Sequence, residues 1–523
     1  MSKGKNINLL AIGVAVAIGI FIGSMLDFNR KPAINYLSKN KQEAKIKRLI
    51  DNIQYEYVDE IDTDSLLDKT IEQMLSNLDP HSVYIPQDQV NSIEETMDGK
   101  FIGIGVQFRM IRDSVTVINV IKDGPSYNAG IEAGDRILIA GKDTLFGKNL
   151  SSDEIMGFLK SKQSKPIALN VFRKKTGELL DFKFNRGDVG LKSVPVFYML
   201  DDGLGYIKIE LFSRTTYDEF HRALLSLKDQ GMQSLVVDLR YNTGGFMDIA
   251  NDIIDEFLPG GTLIVSTKSK SGRITESFAT KSGDFENGNV YVLINEESAS
   301  ASEILAGAIQ DNDRGTIVGR RSFGKGLVQQ EMNLGDGSKV RLTTARYYTP
   351  TGRSIQKPYD HNGNHDYYLD AENRFLNGEL YYKDSIPKVD SLKYTTPKGK
   401  TVYGGGGIIP DVFVPVDTTM YFRLFHMAHI NEFVFDYVDD RRSSLENIVF
   451  NDFKNQYDVE EPLNQYLKKY AIKTTEHDLL KWYLKSLIAR EIYGEEAFYR
   501  IYNERDNIIL KVIALENQSN VVK

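Results

Sequence analysis

Three serines alternate through Ser298-Ala-Ser-Ala-Ser302, and further on a lysine stands between two glycines in Gly324-Lys325-Gly326. Val290–Ile294 is a β-favouring apolar run and Glu303–Gln310 has helical spacing, so the serines fall where a buried strand turns into a helix. A side chain there meets free backbone N–H groups and the positive end of the helix dipole. Both favour the negative charge that an acyl-transfer nucleophile and its oxyanion develop. A serine at that place is also an ordinary helix cap, so the lysine decides the reading. An ammonium deprived of water loses its charge stabilisation and can accept a hydroxyl proton. Lowering a lysine from about 10.4 to near 7 costs roughly 4–5 kcal/mol, which the fold must supply. Gln329 could hold the amine by hydrogen bonding without adding charge. Of the 7 histidines, only His221 lies between residues 82 and 360, so a Ser-His-Asp triad is poorly supplied.

The elements around these residues are those of an α/β core. Gly203–Glu210 reads as a strand, Tyr217–Lys228 as a helix and Ser234–Arg240 as a buried strand that runs into Tyr241-Asn-Thr-Gly-Gly245. Glycines at the carboxyl end of a strand let a backbone N–H face a ligand. Asp238, Arg240 and Asn242 read as a supporting network rather than as reacting groups. Val340–Tyr348 is a further strand, leading to a turn at Thr349–Gly352.

The blocks SASASEILAGAIQD and SFGKGLVQQ resemble the signature of the carboxyl-terminal processing peptidases, tail-specific serine proteases with a Ser/Lys dyad. Spacing alone leaves Ser302 open as nucleophile; the resemblance implies Ser300, with Lys325 as base and Gln329 as its orienting partner. It also implies an oxyanion hole built from the Gly244 or Gly245 amide and that of Ala301. The core it implies is the layered ββα spiral shared with the ClpP and crotonase folds. Leu78–Pro86 is similar to the family too, and His81 within it reads as a structural residue of a Pro-containing turn. Gly404–Pro410 resembles the family's return strand and closes the shared part.

Between the arm and the core, strands near Val115–Ile121, Arg136–Ile139 and Ile167–Arg173 and a helix near Ser152–Leu159 form a separate region. Gly103-Ile104-Gly105-Val106 can aim successive backbone N–H groups at a peptide carboxylate, and the adjacent strand can be extended by the peptide itself. With Gly124-Pro125, Ala129-Gly130 and Ala133–Arg136, this region resembles a PDZ domain.

The length of 523 residues implies several domains. The expected organisation is a signal anchor over 1–28, a helical region over 38–97, a PDZ domain over 98–187, the protease core over 188–418 with a polar insertion near 358–400, and a helical extension over 419–523. Lys3 and Lys5 precede the uncharged run Leu9–Met25, and no A-x-A site follows it. That pattern predicts an uncleaved anchor with the catalytic part on the exported, periplasmic or extracytoplasmic side. In the helical region, Ile46, Leu49, Ile50 and Ile53 share one face, and Thr63 or Asp64 would cap a second helix near Leu66–Leu75.

Net charge is −8 and no long basic run exists, which argues against nucleic acid as a partner. With no cysteine, disulfides, thiolate metal sites and cysteine nucleophiles are excluded. His361 and His365 sit in a solvated loop, so no metal is expected, and the chemistry needs no cofactor. The C-terminal extension, with Phe422, Phe425, Phe433, Phe435, Tyr437 and Trp482, either packs on the core or makes a homo-oligomer contact; Gly19 and Gly23 offer a second oligomer contact within the anchor. The leading reading is a serine endopeptidase that captures unstructured C-termini with its PDZ domain and cleaves near them. Its alternative is a peptide-binding scaffold on an inactive protease fold.

Overall fold

The computed structural model describes residues 41–280, 283–360, 365–417 and 420–522. These fall in two units, 1–71 and 72–523. In the first, Lys41–Glu56 is a helix with no buried residue, and a second helix starts at Thr63. Its cap is Asp62, one residue earlier than expected: the Asp62 carboxylate accepts the amides of Asp64 (3.1 Å) and Ser65 (3.2 Å). An acceptor must precede the first helical turn to reach those amides, which Thr63 and Asp64, already inside it, do not. The apolar run Leu9–Met25 and His361 lie outside the described residues, and among the described residues no helix is long and apolar enough to cross a membrane.

In the second unit, the buried runs form one six-stranded sheet in the order Val196–Asp201, Leu204–Lys208, Ser234–Asp238, Asn289–Ile294, Thr316–Gly319 and Val412–Phe413. The first pair is antiparallel and the rest are parallel. The strand Val412–Phe413 closes the edge, whereas Gly404–Pro410, expected as the return strand, is irregular: its Gly405 and Gly407 amides bond to Ser354 and Ile355 carbonyls instead of to a strand. One face of the sheet packs against the helices Thr216–Asp229, Met247–Asp255 and Ala301–Asp311 through Phe220, Leu224, Ile253 and Leu305. The other face is covered by the last helix, Asn507–Val522, whose Ile508, Ile509 and Val512 meet Val236, Leu293 and Val318. A second sheet of five strands holds Val83–Ile85, Lys339–Tyr348, Leu263–Ser269 and Ile274–Phe278, with Leu327–Asn333 paired to Lys339–Tyr348. Lys325 therefore stands at the entry of a sheet strand, and Ser300 at the entry of a helix.

The PDZ region leaves and re-enters the chain through the short antiparallel pair Lys100–Gly103 and Gly187–Gly190. Its sheet runs Val106–Ile111, Ser114–Val120, Asp135–Ala140, Pro166–Arg173 and Glu178–Asn185, with Val106–Ile111 at the edge. The helix Ser152–Leu159 begins at a capping box, Ser151 with Glu154.

The polar stretch after Pro358 is not simply a solvated loop. It contains the helix Asp370–Leu376, and its Arg374 and Glu379 are buried. From Met420 onward the helices build their own core around Phe433, Tyr466, Leu484 and Ile488, and the last of them packs on the six-stranded sheet through Ile508, Ile509 and Val512. The extension also meets the PDZ region: Asp439 on its first helix pairs with Arg136 (2.6 Å) and Lys174 (2.8 Å).

Ile509 is fully buried against the sheet. Ile509→Ala is expected to cost about 2–5 kcal/mol, read as a lowered urea midpoint. An unchanged midpoint would mean that the last helix does not cover this face in solution.

Candidate active site

Ser298 and Ser302 are both fully buried, and their hydroxyls are engaged. Ser298 Oγ donates to the Leu239 carbonyl (2.8 Å) and Ser302 Oγ to that of Asn242 (3.0 Å). Ser300, half-buried between them, has φ 55°, a region L-residues rarely adopt. Such a conformation costs about 1–3 kcal/mol and persists only where the surroundings over-determine it. Among the described residues, neither the Ser300 hydroxyl nor the Lys325 ammonium donates a hydrogen bond to another group.

Glu303 holds Ser300 in place and ties it to Lys325. Its side chain is fully buried at the third position of the helix Ala301–Asp311. One carboxylate oxygen accepts the Ser300 amide (2.9 Å) and the Lys325 amide (2.8 Å). The other accepts the Gly324 amide (2.7 Å) and the Ser322 hydroxyl (2.5 Å). On the carbonyl side, the Tyr347 hydroxyl lies 2.7 Å from the Lys325 oxygen and 3.3 Å from that of Ser300. The main chains of Ser300 and Lys325 are thus bridged twice, by Glu303 and by Tyr347.

Burial pushes the Lys325 ammonium down to about 8, with the Arg341 charge adding to the effect and the Glu303 and Asp79 carboxylates opposing it. The lysine is therefore poised near neutrality, where a general base is most effective. Gln329 does not touch it in this structure: its amide donates to Thr343 Oγ1 at 3.3 Å, and Thr343 in turn donates to Asp79 (3.0 Å). Asp79 also receives the amides of His81 and Ser82, both at 2.9 Å, and this holds the Leu78–Pro86 segment. His81 bonds Tyr367 OH at 2.6 Å; burial first and the Lys325 charge second push its imidazole down to about 4, so it is neutral at working pH. His221 pairs with Asp284 (2.8 Å) and stacks on Tyr217, with no contact to Ser300.

The turn that carries Gly244 and Gly245 lies against Ser300. A Cβ on Gly244 would fall 2.8 Å from the Ser300 Cβ, and one on Gly245 would fall 2.2 Å from the Phe212 oxygen. Their φ values, 108° and 139°, also require glycine. The two amides are not equivalent. That of Gly244 is engaged by Asn242 Oδ1 (2.8 Å), whereas no hydrogen bond among the described residues occupies those of Gly245 and Ala301. In the PDZ region, the Ile104 and Gly105 carbonyls are bonded to Ser126 and Ile121, which leaves their amides at the end of the edge strand.

Three contributors escape a reading of the sequence. Glu303 carried a usable signal, since Ser300-x-x-Glu303 is a capping-box spacing. Tyr347 reaches the site from a distant strand and carried none. Arg374, in the stretch expected to be a polar loop, donates to the carbonyls of Arg321 (3.1 Å), Ser322 (2.9 Å) and Phe323 (3.1 Å), directly before the base.

A family model described as peptidase family S41 matches residues 203–361, and a PDZ-domain model matches 103–184. A model of a family of unknown function matches 420–494. The carboxy-terminal-processing protease of Bartonella bacilliformis is 34% identical over 345 residues, which is 65% of this chain and 78% of that protein. The carboxy-terminal processing protease CtpA of Bacillus subtilis is 31% identical over 381 residues, 71% of this chain and 80% of that protein.

Glu303→Gln keeps the shape of the clamp but turns an NH2 toward N–H donors. It is expected to lower turnover about a hundredfold and stability by about 3 kcal/mol, measured by peptide cleavage and thermal melting. Near-normal turnover would show that the carboxylate does not organise the site.

Proposed function

The chain belongs to the carboxy-terminal processing proteases of peptidase family S41, serine-type peptidases with a PDZ domain, and from that premise we propose that it cleaves proteins near unstructured C-termini with Ser300 as nucleophile and Lys325 as base. The observation that carries this reading is the Glu303 carboxylate, which holds the Ser300 and Lys325 amides on one oxygen while neither the Ser300 hydroxyl nor the Lys325 ammonium donates a hydrogen bond. Of the three alternating serines, Ser300 alone combines a hydroxyl that donates no hydrogen bond with a strained, half-exposed backbone.

In the reaction, neutral Lys325 takes the proton of Ser300 as the hydroxyl oxygen attacks the scissile carbonyl. The charge that develops on the carbonyl oxygen is received by the Gly245 and Ala301 amides, and Lys325 then gives its proton to the leaving amine. Water hydrolyses the acyl-enzyme by the same route. Gln329 would orient the amine once its long bond to Thr343 is released. Substrate capture is supported by the PDZ region: its edge strand Val106–Ile111 can be extended by one more strand, with the Ile104 and Gly105 amides at the end where a terminal carboxylate would sit. The Lys3, Lys5 and Leu9–Met25 pattern supports an anchored enzyme with its catalytic part on the exported side, testable by protease accessibility in intact cells.

The direct test is cleavage of an unfolded protein by wild type, Ser300→Ala and Lys325→Ala, with folding checked by circular dichroism. Both variants should lose turnover; retained turnover in Ser300→Ala would end this reading. For wild type, kcat/KM should climb about tenfold per pH unit below the Lys325 value and level off above about 8, because only the neutral amine accepts a proton. A profile flat from pH 6 to 9 would remove Lys325 from the role of base.

Capture makes a separate prediction. Amidating the substrate's C-terminus should raise KM by about tenfold or more while leaving the labelling of Ser300 by a small serine-directed phosphonate unchanged. Equal cleavage of acid and amide would mean that the PDZ loop does not read the carboxylate.

A further inference from the structure

Next to the Tyr241–Gly245 turn lies a buried cluster of four charged residues, Lys208, Asp238, Arg240 and Asp506, exposed by 4%, 0%, 9% and 8%, beside a cavity that Arg320 and Asp417 also line. Three belong to the protease sheet and its turn, and the fourth comes from the C-terminal extension. Arg240 Nε and one terminal nitrogen grip Asp238 (2.9 and 2.7 Å), while the other terminal nitrogen donates to Asp506 Oδ2 at 2.7 Å. Lys208 Nζ donates to the Arg240 carbonyl (3.1 Å) and lies 4.0 Å from Asp238. The sheet and turn by themselves therefore bury two cations against one anion, and Asp506 makes the set neutral.

Packing does not immobilise this cluster. A cavity of about 260 Å³ opens beside it, lined by Lys208, Arg240, Tyr499 and Asp506 among others. With room on one side, the guanidinium is held by its two carboxylates. Asp506 is itself fixed, since its second oxygen caps the last helix by accepting the Ile508 (2.9 Å) and Ile509 (3.1 Å) amides. What Arg240 holds is the root of the oxyanion turn. Tyr241 follows it at φ 65°, and Asn242 then binds the Gly244 amide and leaves that of Gly245 without a hydrogen bond among the described residues.

We propose that Asp506 is a positioning residue for the reaction: through Arg240 it sets the oxyanion turn, so that the catalytic core is electrically and functionally incomplete without its C-terminal extension. The proposal rests on the reading of Ser300 and the Gly245 amide given above. An uncompensated buried cation is costly, and the cheapest relief here is movement of Arg240 into the cavity, which drags the turn with it.

The experiment uses the full chain and compares wild type, Asp506→Asn, Lys208→Met and the double variant, with Ser300→Ala alongside. Asp506→Asn retains a cap acceptor but leaves the cluster with one surplus cation, so the melting temperature should fall. It should lower kcat and the rate of Ser300 phosphonylation about tenfold or more at temperatures where the variant is fully folded, with KM close to wild type. Lys208→Met in that background removes the surplus cation and should restore most of the lost kcat. Wild-type kcat in Asp506→Asn would overturn the proposal, as would a loss that tracks the melting temperature and is not restored in the double variant. If Ser300→Ala retained turnover, the assignment of the nucleophile would fail instead, a result recognisably different from a silent Asp506.

Discussion

The catalytic arrangement depends on the burial of one carboxylate. Glu303 is removed from water, which pushes its carboxyl up, yet three amides and a hydroxyl converge on it and favour the charged form. None of the three amides can accept a hydrogen bond, so three of the four contacts act against the upward push of burial. Because those amides belong to two separate segments, the helix that carries Ser300 and the loop that carries Lys325 cannot move apart without exposing an unpaired charge. The same negative charge acts on Lys325 in the opposite sense to burial. Desolvation alone would drive the lysine further toward neutrality, and Glu303 with Asp79 keeps it near about 8.

The loop before the base is held by complementary charges on its two polar sides. Glu303 takes the amides of Gly324 and Lys325, and Arg374 takes the carbonyls of Arg321, Ser322 and Phe323. Buried backbone groups must be paired, and an irregular loop has no strand partner to pair them. An anion on the amide side and a cation on the carbonyl side meet that requirement without secondary structure. The helix Asp370–Leu376 thus brings a guanidinium to the loop before Lys325.

The residues proposed for the chemistry were more legible than their support. Ser300 and Lys325 could be singled out because their residue types and glycine neighbours constrain what they can do, and the strands because continuous apolar runs bury themselves. The choice between Gly244 and Gly245 was not legible, since it turns on where the Asn242 side chain points. The Asp62 cap was missed by a single residue, within the range where capping patterns are ambiguous. Composition misled at the insertion, where Arg374 and Glu379 look solvated in the sequence and are buried in the fold. Gly404–Pro410 carried the family pattern, but its glycines bond to Ser354 and Ile355, so the sheet closes at Val412–Phe413 instead.

The C-terminal extension poses the opposite case, one in which the sequence held more than its motifs. Parallel sheets are covered on both faces, and their strands read as unbroken apolar runs. Ser234–Asp238 and Asn289–Ile294 are such runs, and only alternate residues of each can face the helices Thr216–Asp229, Met247–Asp255 and Ala301–Asp311. The other set, Val236, Tyr291 and Leu293, needs a second cover, of which Val414 supplies only a small part. The last helix covers it, and its Glu516 satisfies the polar groups at the rim of that face, Ser234 Oγ (2.8 Å), Asn289 Nδ2 (2.9 Å) and Tyr291 OH (2.9 Å). A sheet that must be covered twice demands a second apolar element from the remaining chain, and that demand places the extension on the core without any motif within it.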